Sequence, residues 1–373
     1  MSFEVIESNP IPRARIRVIG IGGGGGNAVN TMIEHGIVGV DFAVINTDAQ
    51  DLERSLSHTR FQLGLNSTQG LGTGGNPELG HDSAIEDKEA LRELIIGCDM
   101  VFLTAGMGGG TGTGVTPVLA QLAREEGVLT VGVVTRPFFF EGNKRKRIAD
   151  TGIENLKNCV DTLITIPNQR LISLGDKNTT LKDSFNQANQ VLFHAIRGVS
   201  DLINSHGLVN VDFADVQTIM KSKGTGLMGM GWAQGKRAII EAAQVAVTSP
   251  LLDDISIVGA KHILVNIRGN STMRINEMSE ASRLISEEAH PDAHIILGLV
   301  MDDEMGDAIQ VTVIATDFEE SRQNTQVSPV RKIVNGAEGH ATNDRRPTTK
   351  PPLVSGLDDL WMGEYDLPTF RKR

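Results

Sequence analysis

The stretch Met100-Val-Phe-Leu-Thr-Ala-Gly106-Met-Gly-Gly-Gly-Thr111-Gly-Thr-Gly114 joins an apolar run to a glycine-rich turn and then to a helical pattern. Met100 to Ala105 reads as a strand buried on both faces. The glycines behind it set a row of backbone N–H groups at the start of a helix, where unpaired donors and the helix dipole favour an anion. Ordering so many glycines costs extra backbone entropy, and a close approach of backbone to an anion is the usual compensation.

Working outward, a second cluster of the same kind, Gly20-Ile-Gly22-Gly-Gly-Gly-Gly26-Asn27, follows the strand Ile16 to Ile21 and precedes the helical pattern Ala28 to His35. It satisfies Gly-x-Gly-x-x-Gly at Gly20, Gly22 and Gly25, and Asp48 lies near the end of the next strand, where a ribose-binding acid would sit. Taken alone it reads as a dinucleotide site or as a tight turn without ligand. Two such loops at one sheet edge imply a polyphosphate. No Gly-Lys-Ser/Thr occurs, so neither is a Walker A loop.

Further strands read at Phe42 to Asn46, Val128 to Thr135 and Thr162 to Ile166, alternating with helix-length segments. The fold class predicted is α/β, a doubly wound parallel-sheet nucleotide-binding domain joined by a long central helix to a smaller α+β domain, then a disordered tail. The long helix spans about Thr180 to Ser205, with Leu181, Phe185, Ala188, Leu192, Ala195, Ile196, Val199 and Ile203 recurring at three and four residues. Beyond Gly207 the pattern predicts helices over Asp212 to Lys221, Gln234 to Ser249 and Ile275 to Ala289, with strands at Gly259 to Ile267, Ala293 to Leu299 and Ala308 to Thr316. The divisions expected are an N-terminal arm at 1–14, a nucleotide-binding domain at 15–179, the central helix at 180–207 and a C-terminal domain at 208–318. A polar, Pro-rich linker at 319–356 and a terminal peptide at 357–373 follow.

The 35 Lys and Arg stand against 46 Asp and Glu, a formal charge of −11, which argues against a general nucleic-acid binder. No apolar run reaches the length of a membrane span, and the amino terminus lacks the basic and apolar regions of a secretory signal, so a cytoplasmic protein without membrane insertion is expected. Cys98 and Cys159 form no metal-ligand spacing and read as buried thiols; no metal ligands are expected among the side chains.

The run Gly108-Gly-Gly-Thr-Gly-Thr-Gly114 resembles the signature of the tubulin/FtsZ family. With it occur Gly22 to Asn27, Asn46-Thr-Asp-Ala-Gln50, Gly70-Leu-Gly-Thr-Gly-Gly-Asn-Pro77, Arg136-Pro137 followed by Phe140-Glu-Gly142, and Asn210-Val-Asp-Phe-Ala-Asp215. These motifs resemble the FtsZ branch, the bacterial cell-division GTPases, from about Ile16 to Phe318. The resemblance implies that Gly23, Gly24, Gly25, Gly26, Asn27, Gly108, Gly109, Gly110, Thr111 and Gly112 hold the phosphates of GTP or GDP. Glu141 and Arg145 would meet the ribose, and Asn168 and Phe185 would flank sugar and base. Phe185 reads equally as a core residue of the long helix. Where the family usually has Asp facing guanine this chain has Asn189, a neutral acceptor, which implies weaker but still guanine-directed binding.

Asp212 and Asp215, three apart at a helix start, can polarise water or hold a cation, and Asp212 can equally cap the helix. The resemblance implies that they, with Asn210, complete the site of the next subunit in a head-to-tail homopolymer, with Mg²⁺ as the expected cofactor and a monovalent cation as a candidate. It also implies a cytokinetic ring beneath the membrane at mid-cell. The terminal Asp366-Leu-Pro-Thr-Phe370 with Arg371-Lys-Arg373 resembles the family's adaptor-binding peptide, shortened by one aliphatic residue, so membrane adaptors and division regulators are expected partners. The rivals are an NAD-dependent oxidoreductase, which leaves the second glycine loop unused, and a tubulin-like regulator that does not hydrolyse nucleotide.

Overall fold

The computed structural model describes residues 14–173, 179–204, 211–221, 224–252 and 257–318. Most of the N-terminal arm, Asn210, the linker and the terminal peptide lie outside the described residues.

The amino-terminal part runs β1 (Ile16–Ile21), α1 (Gly22–Glu34), β2 (Val40–Asn46), α2 (Ala49–Glu53), β3 (Thr59–Gln62), α3 (Pro77–Glu86), α4 (Lys88–Glu93), β4 (Met100–Gly106), α5 (Thr111–Glu125), β5 (Leu129–Arg136), α6 (Asn143–Lys157), β6 (Thr162–Pro167) and α7 (Asn168–Leu171). The carboxyl-terminal part runs α8 (Leu181–Asn204), α9 (Phe213–Met220), β7 (Gly224–Gln234), α10 (Ala238–Val247), β8 (Ala260–Gly269), α11 (Ile275–Glu288), β9 (His294–Met301) and β10 (Ala308–Phe318). The sheet order is β3-β2-β1-β4-β5-β6-β7-β10-β8-β9. Strands β1 to β6 are mutually parallel, with β1 between β2 and β4 at the switch point of a doubly wound sheet.

Apolar clusters cover both faces of this parallel sheet. One centres on Val18, Phe102, Val131 and the buried stripe of α8, the other on Ile19, Leu103, Val134 and α5. Cys98 and Cys159 are half-buried against the second cluster rather than fully inside it, and burial raises both thiols above their ordinary pKa.

Strand β7 is where the expected pattern fails. The predicted helix from Gln234 to Ser249 is shorter, Ala238–Val247, and Gln234 instead ends an eleven-residue strand. Four of its residues are glycine, which masked the strand in sequence. Their role is close packing: a Cβ on Gly229 would lie 2.0 Å from the Ala246 carbonyl oxygen and one on Gly231 1.9 Å from that of Ala242, both on α10. The strand pairs with β6 in parallel at Thr162 to Ile164 and with β10 in antiparallel fashion from Leu227 to Gln234. The smaller α+β part is therefore joined to the amino-terminal part by a shared sheet as well as by α8.

Helix α8 lies across this junction. On it, Arg197 and Asp201 are 3.3 Å apart, and Asp201 also meets Arg268 of β8 at 3.2 Å. Arg268 Nε in turn donates to Asp302 at 2.8 Å. At 24 residues and 1.5 Å per residue α8 is about 36 Å long. Its last residue, Asn204, donates to the carbonyl of Gly39, just ahead of β2, while its first turns border the opposite, carboxyl edge of the sheet.

Candidate functional site

A cleft of about 520 Å³ opens along the carboxyl edge of the parallel strands. Its walls come from the ends of β2 (Asn46, Asp48), β1 (Gly22 to Gly24), β4 (Gly106, Met107 and Gly109 to Gly112), β5 (Thr135, Pro137) and β6 (Asn168). Four strand spacings of about 4.8 Å separate β2 from β6, so the cleft follows the sheet edge for roughly 19 Å. An extended nucleoside polyphosphate has this length and needs this kind of narrow trough.

At the middle of the cleft the two glycine loops face each other. Helix α1 begins in the glycines themselves, at Gly22 with φ +68°, six residues before the apolar pattern suggested. Glycine is a poor helix former, but a Cβ on Gly22 would stand 3.1 Å from the Gly112 nitrogen, and one on Gly25 would stand 2.3 Å from the Thr104 carbonyl oxygen. Backbone packing between the loops decides the residue type. Neither α1 nor α5 has a side-chain N-cap hydrogen bond or an acidic residue in its first turn. Both helices thus present N–H groups and positive dipole ends to the cleft, with Asp51 the carboxylate that stands beside Gly23 at the start of α1.

Of the residues expected to bind phosphate, Gly23, Gly24, Asn27, Gly109, Gly110, Thr111 and Gly112 line the cleft. Gly25, Gly26 and Gly108 do not: the first two are buried in the packing of α1, and Gly108, at φ +105°, has its nitrogen held by Thr113 Oγ1 at 2.9 Å.

The β5–β6 end is the part that can take a sugar and a base. Glu141 accepts from the Phe138 N–H at 2.9 Å with one oxygen and from Arg145 Nη1 at 2.8 Å with the other. Asn168 is 4% exposed, and its side-chain oxygen has no hydrogen-bond partner. A buried unpaired carbonyl on a cleft wall fits a donor supplied by a ligand. Phe185, evenly balanced between core and site in the sequence, is 40% exposed and lines the cleft. Its ring stands edge-on to Phe138 at 5.3 Å, leaving it fixed but accessible. Asn189, one turn further along α8, lines the same wall.

The β2 end carries residues to which sequence reading assigns no role. Thr73, Gly74, Gly75 and Asp51 all line the cleft. For the three loop residues the signal was the run Gly70 to Asn76, where four glycines have positive φ; Asp51 carried no such signal. At the β5 end, Pro137 of the quoted Arg136-Pro137 pair also lines the cleft, and Thr135 does so with no signal beyond its place at the end of a strand. Asp48 caps α2 by accepting from the Gln50 and Asp51 N–H groups, and Asn46 Nδ2 donates to Asp51 at 3.3 Å.

Asp212 and Asp215 lie elsewhere. Both are exposed at the start of α9, and Asp212 caps the helix by accepting from the Asp215 N–H at 2.8 Å. The far end of α9 is fixed by Thr162, whose hydroxyl donates to the Met220 carbonyl at 2.6 Å. Thr162 is the first residue of β6, whereas the cleft lies beyond the last, so α9 belongs to the amino edge of the sheet.

The comparisons with known proteins agree with this architecture. Residues 15–176 match the model of the Tubulin/FtsZ family, GTPase domain, and residues 224–319 that of the FtsZ family, C-terminal domain. An FtsZ dimer of M. jannaschii, described as empty, is 39% identical with a TM-score of 0.78, covering 83% of this chain and 89% of that one. The chain belongs to the tubulin/FtsZ family of GTPases. It binds and hydrolyses GTP, and the oxidoreductase alternative falls away. A point mutant of the M. jannaschii FtsZ matches equally, at 39% identity and a TM-score of 0.78 over 82% of this chain and 92% of that one. CetZ2 from Haloferax volcanii, in a GTPγS-bound protofilament, is 20% identical with a TM-score of 0.71 over 83% and 94% of the two chains, which shows a shared fold.

Proposed function

We propose that this GTPase binds GTP in the cleft with the base toward Phe185 and Asn189 and the terminal phosphate toward β2, and that it assembles head to tail into filaments. The observation that carries the reading is the separation of the cleft from Asp212 and Asp215. Within the cleft, both Glu141 oxygens are engaged, one Asp48 oxygen caps α2, and Asp51 accepts from Asn46, so that Asp48 and Asp51 are better placed for a cation than for the attacking water. The exposed pair that could polarise water sits at the other edge of the sheet, out of reach within one chain. A second copy stacked amino edge to carboxyl edge brings its own Asp212 and Asp215 to the cleft, with Asn210 beside them. Such a heterologous contact does not close, so it propagates as a filament. The M. jannaschii FtsZ dimer and the CetZ2 protofilament are consistent with self-association in this fold.

The residues of the cleft do most of the binding as neutral groups: the N–H groups of both loops donate toward phosphate, and the side-chain oxygens of Asn168 and Asn189 accept from sugar and base. Asp48 and Asp51 are the cleft carboxylates that fit a divalent cation such as Mg²⁺ taking its other ligands from phosphate and water, where it would offset the charge of the triphosphate. Two carboxylates at the start of α9 would orient and polarise the attacking water. In the cell we place the filament in the cytoplasm as the division ring at mid-cell, attached to the membrane through adaptors that hold residues 357–373. Among the described residues no helix is long and apolar enough to cross a membrane, which is consistent with attachment by partners.

GTP turnover measured against protein concentration tests the shared site. Activity per molecule should rise steeply through the concentration at which light scattering reports assembly, and Asp215→Ala should bind GTP and assemble yet hydrolyse slowly. Specific activity that stays constant on dilution below the assembly point would return the chemistry to a single chain.

A further inference from the structure

Three threonine hydroxyls from three separate segments meet beside the second glycine loop. Thr47 follows β2, Thr73 belongs to the loop ahead of α3, and Thr111 opens α5. Thr47 Oγ1 lies 2.7 Å from Thr111 Oγ1, and Thr73 Oγ1 lies 3.5 Å from the same atom. Thr111 and Thr73 line the cleft, whereas Thr47 does not and is fully buried. The Thr47 carbonyl also accepts from the Gly72 N–H at 3.1 Å and from the Thr68 hydroxyl at 3.4 Å. One buried residue thus ties the loop at the β2 end of the cleft to the first residue of α5.

The direction of the bond between Thr47 and Thr111 follows from burial. A hydroxyl carries a single hydrogen, and among the described residues Thr111 Oγ1 is the partner of the Thr47 hydroxyl. If Thr111 donated to Thr47, the hydrogen of a fully buried hydroxyl would be left unpaired, at the cost of a lost hydrogen bond. Thr47 therefore donates and Thr111 accepts. The hydrogen of Thr111 is then free for Thr73, at a long 3.5 Å, or for the cleft. A phosphate oxygen only accepts, and its charge makes it the stronger acceptor. Hydrogen bonds in a chain polarise one another, so donation from Thr47 strengthens donation from Thr111.

We propose that Thr47 is a positioning residue that orients the Thr111 hydroxyl as a donor to the terminal phosphate of GTP and so helps distinguish GTP from GDP. This rests on the orientation proposed above, in which base recognition occupies the β6 end and the strand order puts the terminal phosphate toward β2. Thr47 touches no ligand itself and acts through Thr111.

The test uses the full chain with Thr47→Val, which keeps the shape but loses the hydroxyl, and Thr47→Ser, which keeps the hydroxyl. GTPγS and GDP are titrated separately at protein concentrations below assembly, with thermal melting as the check on folding. Thr47→Val should lose about tenfold in affinity for GTPγS, the scale of one charge-assisted hydrogen bond, while GDP stays within about twofold. Thr47→Ser should restore the wild-type ratio of the two affinities, which a purely structural defect would not separate by nucleotide. A folded Thr47→Val protein with the wild-type ratio overturns the proposal. If that variant does not fold, Thr111→Val decides: it removes the donor itself and must lose the same discrimination, and an unchanged ratio again overturns the proposal. Wild-type protein that binds neither nucleotide would overturn the reading of the cleft, a result separate from any difference among the variants.

Discussion

Single side chains on the cleft wall make opposite demands on the empty and the loaded protein. Asn168 buries a carbonyl oxygen without a partner, a penalty of about 1–3 kcal/mol that a ligand donor would remove. Asn168→Leu should therefore leave the empty protein as stable or about 1 kcal/mol more stable in thermal melting, while weakening GDP roughly tenfold or more. Loss of stability together with unchanged GDP affinity would mean that the oxygen serves the fold. Asn189 poses the complementary case. As a neutral acceptor beside Phe185 it forgoes charge assistance, so Asn189→Asp should tighten GDP, and unchanged affinity in calorimetry would show that the residue does not face the base. Most of this wall was legible in sequence because the chemistry was local: glycines next to a strand end, and an aromatic and an amide one turn apart on a helix. Asp51 and Thr135 were not, since they reach the cleft only through the order of strands. Gly25 and Gly26 belong to the same motif but are buried in the packing of α1 and do not line the cleft.

At the scale of elements, apolar periodicity located β1, β4, β8, α8 and α11 to within two residues at either end, because each carries a buried face at a regular interval. It missed α3, although Asn76 caps that helix by accepting from the Glu78 N–H and Pro77 occupies its first turn. The glycines just ahead drew the eye to loop structure. Strand β7 was missed because half of its packing is done by backbone. Gly231→Val should thus drive α10 from the sheet and destabilise the protein by several kcal/mol, read as a fall in denaturation midpoint far larger than for Gly235→Ala in the adjoining turn.

Helix α8 also carries a pH-dependent element. His194 is mostly buried beside Phe193, with Gln310 Nε2 at 2.9 Å from its Nδ1, and burial first, then Arg197 and His35, lower its pKa to about 4. The unfolded chain takes up this proton at about pH 6.5, so the stabilising difference is whole above that value and is lost as the pH falls toward 4. His194→Gln should remove a loss of about 3 kcal/mol across that window, seen as a flatter stability curve than that of the parent protein.

In the proposed filament, the two sheet edges are two halves of one device. The cleft lies at the carboxyl edge and Asp212 with Asp215 at the amino edge, with α8 running about 36 Å between them. Neither edge reveals this alone: the glycine loops read as a binding site and Asp212 as a helix cap, and the structure shows the cap. Their joint use requires a contact between copies. That requirement can be tested without visualising any filament. A variant with an intact cleft but lacking the acids, Asp212→Ala with Asp215→Ala, should bind GTP and hydrolyse little. A second variant with intact acids but a cleft blocked by Gly109→Trp should bind no GTP and hydrolyse none. Mixed in equal amounts, they place the intact cleft of one against the intact acids of the other at some contacts, and GTP turnover should exceed the sum of the two alone. The gain should vanish on dilution, because it depends on association between chains. A mixture no more active than its parts, while both variants remain folded and the first still assembles, would remove Asp212 and Asp215 from the neighbouring site and leave the hydrolytic group to be sought within the cleft itself.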